Sequence, residues 1–134
     1  MTQVLDASVL VAWLVDDGPV GQWAERLVAK GELAAPHLVL AETANILRRL
    51  ALAGEISADV ATLAHRDLLD LQIELVPYAP LAERVWALRG NLTAYDAWYV
   101  ALAEALGCPL VTLDAKLARA SGPRCRFVTR SRSG

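Results

Sequence analysis

Five short apolar runs, at residues 3–6, 32–36, 73–77, 109–114 and 125–129, are separated by longer stretches whose apolar residues recur at helical spacing. That alternation restricts the fold severely. Strands separated by helices do not close as tight hairpins. Each chain segment must cross back over the sheet, which gives a parallel sheet wound with right-handed connections. In such a sheet a ligand sits outside the carboxyl ends of the strands, where the winding direction reverses. If the first strand is central and the fourth lies beside it, the residues that end those strands, Asp6 and Asp114, meet at that crevice.

Local signals place the helices. "ASVLVAWLV" follows Asp6 directly and is broken by "DDG" at 16–18. Pro19 suits the first turn of the next helix, which runs towards Gly31. A long helix over 37–54 ends at Gly54, and Ser57 caps the one that follows. Pro80 to Arg89 reads as a helix ended by Gly90. "NLTAYDAWYVALAEALG" (91–107) is apolar on nearly every side, so it belongs in the interior. A short helical turn near 116–120 precedes the fifth strand. No repeat, linker or low-complexity block interrupts the 134 residues, so one α/β domain over 1–134 is expected, its last few residues a basic tail.

No apolar run reaches the roughly 18 residues that a membrane span needs, and "MTQVLDAS" has no basic, apolar leader. A soluble, cytoplasmic protein with no membrane partner is the expectation. Cys108 and Cys125 belong to no metal-binding or redox spacing and read as ordinary buried thiols. A net charge of −2 argues against a general nucleic-acid coat, but Lys116, Arg119, Arg124, Arg126, Arg130 and Arg132 follow Asp114 without an intervening acid. At 55 % hydrophobic residues, the chain has apolar surface to spare for a partner.

Four acids carry the functional reading. Asp6 and Asp114 end strands, and Asp96 follows Thr93 as in a capping box. Glu42 lies on the long helix in a polar stripe with Asn45 and Arg49. Each has a local explanation: a helix cap for the aspartates, a solvated stripe for Glu42. Their common location is what those explanations omit. Several carboxylates sharing a small space raise one another's pKa, and a divalent cation removes the conflict. An all-oxygen donor set favours Mg²⁺ or Mn²⁺ over Zn²⁺, and such ions serve in-line hydrolysis at phosphorus. Ser8 and Thr112 stand close enough in sequence to Asp6 and Asp114 to bond them, while His37 and His65 look incidental. Lys116 and Arg119 are placed to hold flanking phosphates.

With the acids in this order, the sequence resembles the PIN-domain ribonucleases, and most of all the VapC-type toxins of toxin–antitoxin systems. The matching stretches are "LDASVLVAWL", "LAETANILRRL", "LTAYDAWYVALAEALGCPLVTLD" and the "KLA" after it, which together run from residue 3 to about 119. The resemblance implies a three-layer α/β/α fold with strand order 3-2-1-4-5. It implies a pocket holding one or two Mg²⁺ or Mn²⁺ ions, with Asp6, Glu42, Asp96 and Asp114 as ligands and Asp6 and Asp96 foremost. Ser8, Thr112 and Asn45 would support the ligands or touch substrate. It further implies a homodimer that cuts RNA, a small antitoxin protein that covers the groove, and contact with DNA only through that antitoxin. Trp13 and Trp23 are candidates for the antitoxin groove or for core packing.

Other readings remain: a housekeeping nuclease of the same fold, or a PIN-like module that binds without catalysis. A haloacid-dehalogenase-type phosphatase would want a second aspartate where "DAS" has serine. A phospho-receiver domain would want an acid ending the third strand, and "IELVPYAP" has none there.

Overall fold

The computed structural model describes residues 1–130. The basic tail expected around Arg132 lies outside the described residues. The elements run β1 (Thr2–Leu5), α1 (Ala7–Val15), α2 (Pro19–Val28), β2 (Glu32–Pro36), α3 (Leu38–Leu52), α4 (Ala58–Asp70) and β3 (Glu74–Val76). A 3-10 turn (Ala79–Leu81) then leads into α5 (Ala82–Ala87), α6 (Ala94–Leu106), β4 (Leu110–Val111), α7 (Ala115–Ala118) and β5 (Phe127–Val128). All strand pairings are parallel and the order is β3-β2-β1-β4-β5. The sheet reverses its winding between β1 and β4, as the resemblance implies.

Helices flank this sheet in two groups. α1 packs on α2, α3 and α4, whereas α6 packs on α5 and against β1, β2 and β4. The sheet's centre is therefore covered and reads as continuous apolar sequence. Val4, Leu5, Leu110 and Val111 are fully buried, as are Val9 and Leu10 of α1 and Val100 of α6. The all-round apolar character of α6 follows from its place: Ala97 and Tyr99 to Ala103 are buried without a break. Each buried Leu, Val or aromatic side chain contributes roughly 1.5–3 kcal/mol of burial energy.

The caps explain where these elements begin. Ser57 accepts from the Val60 N–H at 3.0 Å, and Thr93 accepts from the Asp96 N–H at 3.2 Å. Gly107 closes α6 in the left-handed conformation (φ 64°) that glycine adopts without penalty. Gly21 answers a different need: a Cβ there would lie 1.7 Å from the Asp16 carbonyl oxygen, so only glycine lets α2 pack this closely on the end of α1.

Two sequence expectations fail locally. The segment from Pro80 opens as a 3-10 turn, and α5 stops at Ala87 rather than near Gly90. The Leu88 N–H is shared between the Arg84 and Val85 carbonyls, which tightens the last turn, and Gly90 does not adopt a positive φ. The fourth strand is also only two residues long instead of six. Beyond it, the Leu113 N–H bonds the Ser8 hydroxyl at 3.0 Å in place of a neighbouring strand. No helix among the described residues is long and apolar enough to cross a membrane.

Candidate active site

Asp6 stands immediately after β1, at the switch point. Its backbone N–H bonds the Val111 carbonyl at 3.2 Å, which fixes the ends of β1 and β4 to each other. Its side chain is buried and receives three donors. The Ser8 hydroxyl reaches Oδ1 at 2.5 Å, the Val9 N–H reaches the same oxygen at 3.3 Å, and the Thr112 hydroxyl donates to Oδ2. The bond from Val9 makes Asp6 the N-cap of α1 as well. Burial dominates its chemistry and pushes the carboxyl up to about 6, against the lowering effect of these donors.

Thr112 and Ser8 form a small relay across the seam. Thr112 is fully buried and accepts the Asp114 N–H at 3.0 Å while donating to Asp6. Asp114 caps α7, accepting from the Lys116 and Leu117 N–H groups at 3.0 and 3.2 Å. Both aspartates therefore cap helices, Asp6 from a buried position directly after β1 and Asp114 from an exposed one three residues beyond β4.

Asp96 occupies the first turn of α6 and is half-buried. Thr93 caps the helix through the Asp96 backbone, yet among the described residues no group donates to the Asp96 carboxylate. Only half of the expected capping box forms, and the carboxylate is left free. Burial first, and then repulsion from Asp114, hold its pKa above the ordinary aspartate value.

Glu42 reaches the site from α3. Its Oε1 accepts the Tyr99 hydroxyl at 2.5 Å. Burial raises the Glu42 pKa, the Tyr99 bond opposes that rise, and repulsion from Asp96 adds to it. Tyr99 is 2 % exposed and lies in the field of Glu42, Asp6 and Asp96, which together with burial drives its phenol far upward. Sequence reasoning missed Tyr99. Its one available signal was its position one helical turn after Asp96.

The four acids form a chain of neighbours and not a closed cage. Glu42 feels Asp96, Asp96 feels Asp114, and Asp6 is tied to Asp114 through Thr112. Among the described residues no three His, Cys, Asp or Glu side chains converge as a ready-made ion cage. The donor chemistry nevertheless fits a hard divalent cation: oxygen ligands alone, three of them with raised pKa values, one with no protein donor. Asn45 is exposed and makes no side-chain hydrogen bond among the described residues. Lys116 and Arg119 are exposed on and just after α7, with their charged ends unpaired among the described residues. His37 and His65 are exposed.

A groove of about 460 Å³ has Ser8, the partner of Asp6, in its lining. It is lined by Val11, Val15, Val20, Leu50, Ile56 and Leu113, with Ser8 at one end and Asp16 and Asp17 at the rim. The four pocket acids do not line it. Trp13 and Trp23 do not line it either; both are half-buried and pack on the core. The thiols of Cys108 and Cys125 lie away from the pocket, beside Glu104 and Arg126, and burial raises both, Cys125 to about 11.

A parallel five-stranded sheet of order 3-2-1-4-5, with Asp6 at its β1–β4 switch point, is the fold of a PIN domain. The PIN domain family model matches residues 4–123, and the chain belongs to that family. Within it the chain is similar to the VapC ribonuclease Mb0985 of Mycobacterium bovis, with 43 % identity over 91 % of this chain and 93 % of that protein. Among solved structures it is similar to PAE2754 from Pyrobaculum aerophilum (TM-score 0.71, 29 % identity, 95 % of this chain and 83 % of that one). It also shares its fold with VapBC2 from Rickettsia felis bound to a DNA fragment from their promoter (TM-score 0.68, 17 % identity, 96 % and 98 % of the two chains).

Proposed function

We propose that this protein is a VapC-type toxin: an endoribonuclease that hydrolyses RNA phosphodiesters with Mg²⁺ or Mn²⁺, and that a small antitoxin protein neutralises. The observation that carries the reading is the Asp6 carboxylate, buried at the β1–β4 switch point and held there by the Ser8 and Thr112 hydroxyls and the Val9 N–H. A carboxylate is not buried in a protein interior without compensation. The similarity to a named VapC ribonuclease over nearly the full length supports the same activity.

Asp6, Glu42, Asp96 and Asp114 would hold the cation, with Asp6 and Asp96 foremost. When bound, the cation supplies activation of water and charge neutralisation at the scissile phosphate. The chain's own residues do the rest. Ser8, Thr112 and the Val9 N–H aim the Asp6 carboxylate and favour its ionised form. Lys116 and Arg119 meet phosphates that flank the cut, and Asn45 meets the strand on the α3 side. The acids repel RNA when the site is bare, so productive binding depends on the cation.

The groove between α1, α2 and the end of α3 suits an apolar antitoxin segment. Its acidic rim, Asp16 and Asp17, favours a segment that carries a basic residue. The fold shared with a VapBC complex bound to promoter DNA supports a partner of that kind, and contact with DNA through it. A homodimer acting in the cytoplasm completes the proposal.

The test is cleavage of RNA by purified protein with Mg²⁺, with EDTA, and with Asp6→Asn and Asp96→Asn. The reading requires cuts that leave 5′-phosphate and 3′-hydroxyl ends and that disappear in EDTA and in both variants. Cleavage that survives chelation or both substitutions refutes it. A folded protein that binds the cation yet cuts no RNA favours the non-catalytic module.

A further inference from the structure

We propose that Tyr99 is a positioning residue whose hydroxyl fixes Glu42 in the pocket beside Asp96 and so sets the protein's affinity for its divalent cation. The inference rests on the metallonuclease reading above and assigns a role to a residue outside the four acids.

The four acids are held in different ways. Asp6 is gripped by two hydroxyls and a backbone N–H, and Asp114 by the first turn of α7. Asp96 sits on the first turn of α6 with a short side chain. Glu42 differs from all three. It projects from α3, its side chain has one more rotatable bond than aspartate, and it is only half-buried. Ordering such a side chain costs rotamer entropy of up to about 2 kcal/mol. Among the described residues its one hydrogen-bond partner is the Tyr99 hydroxyl, at 2.5 Å.

Tyr99 is well suited to hold it. The ring is 2 % exposed and belongs to the apolar core, so its hydroxyl is a fixed point. Phenylalanine would fill the same space, which leaves the hydroxyl's contribution to be found in its contact with Glu42. The donor is also neutral. A lysine or arginine in its place would steady Glu42 equally well, but would add a positive charge that competes with the cation. The phenol offsets the repulsion between Glu42 and Asp96 without that competition. It occupies Glu42 Oε1 and, among the described residues, leaves Oε2 without a protein donor. The bond also joins α3 to α6, residues 57 apart in sequence.

The experiment compares wild type, Tyr99→Phe, Glu42→Gln and the double variant. Mn²⁺ binding is measured by calorimetry, and RNA cleavage is measured over a range of Mg²⁺ concentrations. Tyr99→Phe should weaken Mn²⁺ binding about tenfold, the size of a lost bond to a charged group. Its cleavage rate should return towards the wild-type value at high Mg²⁺, a rescue that a packing defect would not give. KM for RNA at saturating Mg²⁺ should not change. In the Glu42→Gln background the added Tyr99→Phe substitution should cost less than threefold. Wild-type Mn²⁺ affinity in a folded Tyr99→Phe, or a full tenfold loss in the Glu42→Gln background, overturns the proposal. If wild type itself binds no divalent cation, the metallonuclease reading fails and this inference fails with it. If wild type binds and Tyr99→Phe binds equally well, only the inference fails.

Discussion

The Thr112 hydroxyl donates to the Asp6 carboxylate across the β1–β4 seam, joining residues 106 apart in sequence. The same oxygen accepts the Asp114 N–H, so one buried threonine orients two of the four acids. This contact converts a topological feature, the reversal of winding beside β1, into a chemical one.

Thr112→Val keeps the shape and removes both bonds. It leaves Asp6 with one donor fewer and the Asp114 N–H without its acceptor. A loss of about 1.5–3 kcal/mol in folding stability should follow, measured by urea unfolding. RNA cleavage should fall about tenfold or more, because Asp6 loses both its aim and part of its bias towards the ionised form. Thr112→Ser, which restores the hydroxyl, should recover most of the activity.

Asp6→Asn should stabilise the cation-free protein at neutral pH. Burial lifts the Asp6 carboxyl from 3.8 to about 6, so the native state holds this proton more tightly than the unfolded chain does. The group's favourable contribution is therefore complete below about pH 4 and is lost as pH rises through about 6. At pH 7.5 the ionised group costs roughly 3 kcal/mol. In EDTA, the variant should unfold several degrees higher than wild type at pH 7.5, and the two should converge near pH 4. Added Mg²⁺ should reverse the order at pH 7.5 by stabilising wild type alone.

Arg84→Met should affect stability without affecting catalysis. The Arg84 guanidinium bonds both oxygens of Glu104, at 2.7 and 3.1 Å, and the Gly122 carbonyl at 3.1 Å. Glu104 also accepts the Arg124 N–H at 2.7 Å. This partly exposed network ties α5, α6 and the approach to β5 together, away from the pocket. Its loss should cost about 1 kcal/mol, less at high salt, with RNA cleavage per folded molecule unchanged.

The parts of this protein that were legible in its sequence are those set by local rules. Ser57, Thr93 and Gly107 mark helix ends because capping involves neighbours within a turn. Asp6 could be placed at a strand end because an apolar run stops there, whereas the run before Asp114 outlasts its strand, which ends at Val111 and leaves Asp114 to cap α7. Contacts between distant segments left less trace. Spacing paired Thr112 with Asp114, and that bond forms, but the donation of the same hydroxyl to Asp6 left no trace in the sequence. The Tyr99–Glu42 bond joins two helices that no periodicity relates. The capping box in "TAYD" suggested a satisfied carboxylate, and only its threonine half forms. The short β4 was hidden for a related reason, since side-chain oxygens of Ser8 and Thr112 take over backbone N–H groups that the sequence assigns to a longer strand.

The central claim is that these acids together hold a divalent cation. Anomalous diffraction from crystals soaked in Mn²⁺ tests it most directly. A peak is expected between Asp6 and Asp96, with carboxylate oxygens at about 2.0–2.3 Å, and is absent in Asp96→Asn crystals. A Mn²⁺-soaked crystal with no peak there, from protein that cleaves RNA in the same buffer, would contradict it.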